Sequence, residues 1–294
     1  METFEGKLVL GLPKGSLEAA TCEIFRKAGY TINISSRSYY PTINDDDIKP
    51  ILIRSQEMSR YVEAGHLDCG ICGHDWIVEN QSDVVEICEM MYSKATANPV
   101  RWVLCVHNDS PYKKPEDLEG KLIATEAVNM TKKYFAEKGI NVKIEFSWGA
   151  TEVKCPNLVD AIVELTETGS SIRANNLKII DELTTSTTRF IANKEAMKDP
   201  FKRTKIENLA TLLQGALRAR DKVGLKLNAP LSKLEEISSI LPCMREPTIS
   251  PLKNKDWVAM EVVLDEVTSR ELIPKLKAMG AQDIIEYPLS KVIP

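Results

Sequence analysis

The run Lys7-Leu-Val-Leu-Gly-Leu12 is apolar without alternation, and Pro13-Lys-Gly-Ser16 ends it abruptly. A strand with no polar face must be covered on both sides, and helices on both faces of a parallel sheet are the usual cover. After the break, Leu17, Ala20, Ile24 and Ala28 recur at helical spacing, with Ser16 as cap and Gly29 as stop. The succession returns as a strand at 51–53, a helix over 55–64, a strand at 67–72 and a helix from His74. Strands alternating with helices predict a parallel α/β fold.

A second series follows: strands at 101–107 and 121–125, a helix over 129–138 and a strand at 142–146. Beyond Leu158 the pattern predicts a helical stretch leading into Thr168-Gly-Ser-Ser171, then strands at 178–183 and 188–192. An amphipathic helix over 201–220 carries Ile206, Leu209, Leu212, Leu213, Ala216 and Leu217 on one stripe. From Lys222 the order becomes strand 222–228, helix 230–240, strands 247–252 and 257–264, helix 269–279 and strand 283–287. That β-α-β-β-α-β order is ferredoxin-like.

Composition narrows the function. The chain has 294 residues, enough for more than one domain, and a net charge of −4. General nucleic-acid or membrane-surface binding needs an excess of Lys and Arg that is missing. No apolar run is long enough for a membrane span, and Glu2 and Glu5 do not suit a signal peptide. The seven cysteines, an odd number set mostly in apolar runs, read as buried reduced thiols of a cytoplasmic protein.

Three segments could carry chemistry. In Asp160-Ala-Ile-Val-Glu164-Leu-Thr-Glu167-Thr168-Gly169-Ser170-Ser171-Ile-Arg173, Gly169 permits close backbone approach and the hydroxyls supply donors for a phosphate. The upstream acids could meet ribose hydroxyls or a Mg²⁺-bound pyrophosphate. A capped helix start fits the same residues. Lys14, in the turn before a helix, is either a phosphate partner or a solvated loop lysine. Asp75, just after Gly73 at the start of a helix, either caps it or faces a ligand. The Cys69-Gly-Ile-Cys72 pair resembles a zinc or redox motif. On a strand, though, residues three apart point to opposite faces, and no second pair completes a metal site.

Taken together, these segments resemble the ATP phosphoribosyltransferase family, which opens histidine biosynthesis. The resemblance rests on Leu12-Pro-Lys-Gly-Ser-Leu17, on 62–75 from Val62-Glu-Ala-Gly to Gly73-His-Asp75, on Gly149-Ala-Thr-Glu152, and most specifically on 160–177. Ala229-Pro230, Pro247-Thr248-Ile-Ser-Pro251 and Met279-Gly-Ala281 are similar to the regulatory domain of the family's long form, which needs no separate regulatory subunit. Two departures stand out. Ser16 replaces a frequent arginine, and the 154–160 segment is one residue shorter and lacks a glycine.

The resemblance implies a two-lobed catalytic core similar to type II periplasmic binding proteins, plus a ferredoxin-like (ACT-like) regulatory domain. Lobe I would be 1–93 with 184–205, lobe II 94–183, a connecting helix 206–221 and the regulatory domain 222–294. The implied reaction joins N1 of ATP to the ribose of 5-phosphoribosyl 1-pyrophosphate (PRPP), with Mg²⁺ as cofactor, histidine as feedback inhibitor and a homohexamer as assembly. Lys14, Arg54 and Arg101 are expected to neutralise phosphates, and Lys14, Gly15, Asp68, Gly73 and Asp75 to surround ATP. Asp160 and Glu164 are expected to face ribose or Mg²⁺, and Thr168, Gly169, Ser170, Ser171 and Arg173 to grip the 5′-phosphate. Asn228, Met244, Glu246 and Thr248 fall where the family binds histidine. Competing readings are a non-catalytic two-lobed binding protein and an amino-acid-sensing regulator. Whether His66 or His74 meets a ligand stays open.

Overall fold

β1 (Leu8–Lys14) is buried from its first residue to Pro13, as a run without polar alternation requires. The structure is a computed structural model that describes residues 6–35, 37–93, 98–242 and 246–294. Met244, expected at the histidine site, therefore lies outside the described residues. α1 (Glu18–Ala28) follows β1. After the short ribbon of β2 (Ile32–Asn33) and β3 (Thr42–Ile43) come β4 (Ile48–Arg54), α2 (Ser55–Glu63), β5 (Cys69–Gly73), α3 (His74–Asn80) and β6 (Val85–Met90). The chain then builds β7 (Val100–His107), β8 (Leu122–Thr125), α4 (Val128–Glu137), β9 (Lys143–Phe146), β10 (Ala161–Thr166), α5 (Ser170–Ala174) and β11 (Leu177–Ser186). β12 (Thr188–Ala192) returns to the first sheet, so the switch between sheets falls at Thr187 rather than at 184.

Two five-stranded sheets result, ordered β4-β1-β5-β12-β6 and β11-β7-β10-β8-β9. Each follows one plan. The first strand of the run sits beside the second and third, and an antiparallel strand separates the third from the fourth. That inserted strand is β12 in the first sheet and β7 in the second. The two sheets define lobe I and lobe II, the two-lobed α/β arrangement expected. Pro50, which cannot donate to a ladder, is tolerated because β4 is an edge strand. Met58, Val62, Leu67, Ile77 and Ile191 pack one core of lobe I, and Trp102, Leu104, Ile123, Phe135 and Val163 one core of lobe II.

One element differs from expectation. The stretch ahead of Thr168 is a strand, β10, lying between β7 and β8 at the centre of its sheet. Ala161, Ile162 and Val163 are wholly buried there. A short apolar run buried on both faces has no period that separates strand from helix, so neighbouring strands decided its form. Cys69 and Cys72 are both fully buried, and burial pushes both thiols up.

The chain divides into two compact units, one holding both lobes up to Ala210, the other Lys27–Gly29 with Thr211 onward. The long helix α6 (Pro200–Arg218) carries the chain across that division. In the second unit β13 (Lys222–Pro230), α7 (Leu234–Ile240), β14 (Thr248–Pro251), β15 (Trp257–Asp265), α8 (Glu266–Ala278) and β16 (Gln282–Pro288) form the expected β-α-β-β-α-β order. Its sheet runs β14-β15-β13-β16, every pair antiparallel. Leu225, Leu227, Met260 and Val262 pack one face of that sheet against Ile237, Leu272 and Leu276 of α7 and α8. No helix among the described residues is long and apolar enough to cross a membrane.

Candidate active site

Parallel strands finish at a common edge, and backbone groups left over there favour ligands. In lobe I, β1 and β4 end on Lys14 and Arg54, which are register partners. Gly15 follows with φ +115°, and a Cβ there would lie 3.4 Å from Arg54 Nη1, so its absence lets the guanidinium settle against the turn. Lys14 Nζ stands 3.4 Å from Glu18 and 5.4 Å from the Tyr39 ring centre. β5 ends on Gly73, where a Cβ would collide with Asp75 Oδ1 at 2.0 Å.

In lobe II the strand ends carry different chemistry. β8 gives way to Glu126, and β10 to Glu167, Thr168 and Gly169. Gly169 has φ +72° and donates its N–H to Thr166 Oγ1 at 2.9 Å, and Arg173 Nη1 returns to the Thr168 carbonyl at 3.2 Å. These bonds fold the loop into a fixed turn, after which Ser170 and Ser171 open α5. Between the lobes is a cavity of about 510 Å³ lined by Lys14, Arg54, Gly73, Asp75, Glu126, Glu164, Thr168, Ser170 and Ser171, among others. Burial and the nearby charges of Glu152 and Glu126 push the Glu164 carboxyl up to about 7.

The cavity gathers Lys14, Arg54, Gly73, Asp75, Glu164, Thr168, Ser170 and Ser171 of the expected set. It does not gather the others. Asp160 precedes β10, at the opposite end of that strand from Thr166, and its Oδ2 accepts the Leu122 N–H at 3.0 Å. As a helix, 160–167 would have brought Asp160 within a turn or two of the loop; as a strand it separates them by roughly 20 Å. Asp68 is likewise at the far edge of lobe I, accepting from Val9 N at 2.8 Å and from Lys202 Nζ at 2.8 Å. Arg101 alternates with the cavity-lining Val100 and Trp102, and it pairs with Glu182 at 3.2 Å. Arg173 is turned onto the loop's own carbonyl rather than lining the cavity.

Asp75 lines the cavity, but both its oxygens are engaged. Oδ2 accepts from Trp102 Nε1 and Oδ1 from Ser186 Oγ, each at 2.8 Å, and burial raises its carboxyl above the ordinary value. His66 lies beside Tyr61 with the two rings tilted, and His74 Nδ1 lies 3.4 Å from Glu86; neither lines the main cavity. Gln56, Tyr92 and Glu126 do line it and were not expected, and Glu167, among the acids just upstream of the loop, lines it as well. For Glu126 the available signal was its position directly after a strand.

Residues 54–215 match the HisG family profile, described as ATP phosphoribosyltransferase, and 219–291 match its C-terminal domain. The chain belongs to the ATP phosphoribosyltransferase family. It is 57% identical over 288 residues to the ATP phosphoribosyltransferase of Pelotomaculum thermopropionicum, covering 98% of this chain and 100% of the relative. It is 58% identical over 287 residues to that of Trichlorobacter lovleyi, covering 97% and 99%. A solved ATP phosphoribosyltransferase HisG:HisZ complex from Thermotoga maritima superposes with a TM-score of 0.61 at 29% identity, over 72% of this chain and 98% of that one. Family membership makes this chain an enzyme, a phosphoribosyltransferase of histidine biosynthesis.

In the second unit, Asn228 on β13 and Thr248 on β14 share the sheet face opposite the helices, two strands apart. Asn228 Nδ2 donates to Asp283 Oδ2 at 2.8 Å, and Thr248 and Glu246 are exposed.

Proposed function

We propose that the cavity between the lobes binds PRPP and ATP and joins the N1 nitrogen of adenine to the anomeric carbon of PRPP. The new N1–C1′ bond forms as the C1′–oxygen bond breaks, and pyrophosphate leaves with the electron pair. The supporting observation is the facing of two unlike edges: the paired cations Lys14 and Arg54 against the hydroxyl loop Thr168–Ser171. N1 already has a free lone pair, so the task is alignment and charge stabilisation rather than activation of a nucleophile. In this reading Thr168, Ser170 and Ser171 hold the 5′-phosphate, on a turn that Gly169 and Arg173 shape. Lys14 and Arg54 neutralise phosphates of ATP beside Gly15 and Gly73.

Magnesium fits the donor set. Glu126 and Glu164 line the cavity beside hydroxyl oxygens, an all-oxygen environment suited to a hard cation that also keeps substrate phosphates and waters as ligands. Repulsion among Glu164, Glu152 and Glu126 is what a divalent cation would relieve. Bound there, it would neutralise the departing pyrophosphate.

The second unit would sense histidine through Asn228, Thr248 and Glu246. Support comes from the match of 219–291 to the family's C-terminal domain, while the matched chain of the solved complex covers only 72% of this one. A self-regulated cytoplasmic homohexamer follows from that reading. The test is an assay with ATP, PRPP, Mg²⁺ and pyrophosphatase, following the absorbance of phosphoribosyl-ATP. Product that needs Mg²⁺ and falls on adding histidine supports the proposal. No product would overturn the reaction, and indifference to histidine would overturn the regulation.

A further inference from the structure

α3 is two turns long and carries two buried carboxylates four residues apart, Asp75 and Glu79, on one face. Asp75 is hydrogen-bonded to Trp102 of β7 and to Ser186, the last residue of β11. Glu79 reaches the start of α4. Its Oε1 accepts the Asn129 N–H at 2.9 Å, its Oε2 accepts the Met130 N–H at 2.8 Å, and Asn129 Nδ2 donates to the Glu79 carbonyl at 2.9 Å. The first N–H groups of a helix have no partners within it and need an acceptor from elsewhere. The residue at the cap position of α4 offers none, because it is Ala127, fully buried and without a side-chain oxygen. A carboxylate from lobe I therefore caps a helix of lobe II.

Beside these bonds, Trp76 of α3 packs edge-on against Trp102 and joins the buried apolar cluster that holds Met130 and Phe135 of α4. A cavity of about 230 Å³ lies beside the pins, lined by Asp75, Val78, Met130, Tyr134 and Leu183 among others. Directed polar bonds therefore add to this apolar contact in fixing the two helices relative to each other. Burial raises the Glu79 carboxyl despite the N–H groups aimed at it, so the site keeps an acid that is costly to ionise. The same two helices belong to the lobes whose strand ends face across the main cavity.

We propose that Glu79 is a positioning residue: by capping α4 from the opposite lobe it sets the spacing between the Lys14–Arg54 edge and the phosphate loop. Asp75 is the second pin of the same latch rather than a contact for ATP. The inference rests on the reaction proposed above, in which atoms held by different lobes must meet. A displacement of an ångström can cost about 100-fold in rate while each lobe still binds its own ligand.

Glu79→Ala tests it in the full-length enzyme. The expected result is a kcat lower by about 10- to 100-fold, with PRPP affinity by calorimetry within about threefold of wild type. Hydrogen exchange should speed up at the Asn129 and Met130 amides while the lobe II strands stay protected. Glu79→Gln, which keeps one acceptor oxygen, should fall between the two, and it carries the test if the alanine variant does not fold. Adding Ala127→Ser to Glu79→Ala offers α4 a cap from its own lobe. Restored amide protection with kcat still low supports a latch; recovery of kcat to within about twofold would reduce Glu79 to a local cap and overturn the proposal. So would an unchanged kcat in Glu79→Ala, or kcat and PRPP affinity falling together with the melting temperature. A wild-type enzyme that makes no product would instead overturn the reaction itself.

Discussion

At the entry to the third strand of its sheet, lobe I places Asp68 and lobe II places Asp160. Each accepts a backbone N–H from the start of the first strand, Val9 in one case and Leu122 in the other. The lobes also share a strand order. At the carboxyl edge the likeness ends. Lobe I offers adjacent cations, whereas lobe II offers a glycine turn, hydroxyls and carboxylates. The far edge thus holds what the fold needs in both lobes, and the near edge holds what each ligand needs. An aspartate's role here depends on which end of a strand it occupies.

Substitutions at the near edge should act on binding and rate. Gly169→Val forces a β-branched residue into φ +72° and sets its Cβ 2.9 Å from Nη1 of the Arg173 guanidinium. The expected outcome is loss of PRPP binding in calorimetry and about a 100-fold or greater fall in activity. PRPP affinity near wild type would remove the loop from the site. Lys14→Ala and Arg54→Ala should each raise the KM for ATP by about 10-fold, the worth of a charge-assisted hydrogen bond, and leave PRPP affinity nearly unchanged. Equal effects on both substrates would erase the contrast between the edges.

The far edge should respond in stability instead. Asp68→Ala strands the Val9 N–H and Lys202 and should cost about 3 kcal/mol in unfolding free energy. Asp160 is more exposed, and Asp160→Ala should cost about 1 kcal/mol. Activity per folded molecule should hold in both, so a kcat that falls at unchanged stability would return Asp160 to the substrate site.

The smallest effect concerns pH. Burial raises the Asp75 carboxyl above its ordinary 3.8, so ionising it opposes folding. Its contribution to stability is fullest below the unfolded value and is lost as pH rises through the native one. Asp75→Asn keeps an acceptor for Trp102 without the charge. Its melting temperature relative to wild type should therefore rise between acid and neutral pH. A difference that does not vary with pH would contradict this.

Much of the site was legible because strand–turn–helix units have local signatures. Lys14-Gly15 closes a strand that the sequence announces, whereas Thr168–Ser171 stood out by its glycine and hydroxyls, since the stretch before it reads as helix and is β10. Arg101 alternates with Val100 and Trp102, which face the cavity, but which parity faces it is set by the fold and not by the sequence. Asp160 could not be set aside either, because Ala-Ile-Val reads as strand or helix until β7 and β8 flank it. Asp75 and Glu79 were less legible still. Their partners Trp102, Ser186, Asn129 and Met130 are far away in the chain, and no local pattern announces a cap supplied by another lobe.

Hydrogen exchange with and without PRPP tests the division of labour most directly. PRPP should slow exchange at the amides of 168–172 and leave those beside Asp160 and Asp68 unchanged, while ATP should slow those of 14–17. Protection by PRPP beside Asp160, with none at Gly169–Ser171, would contradict it.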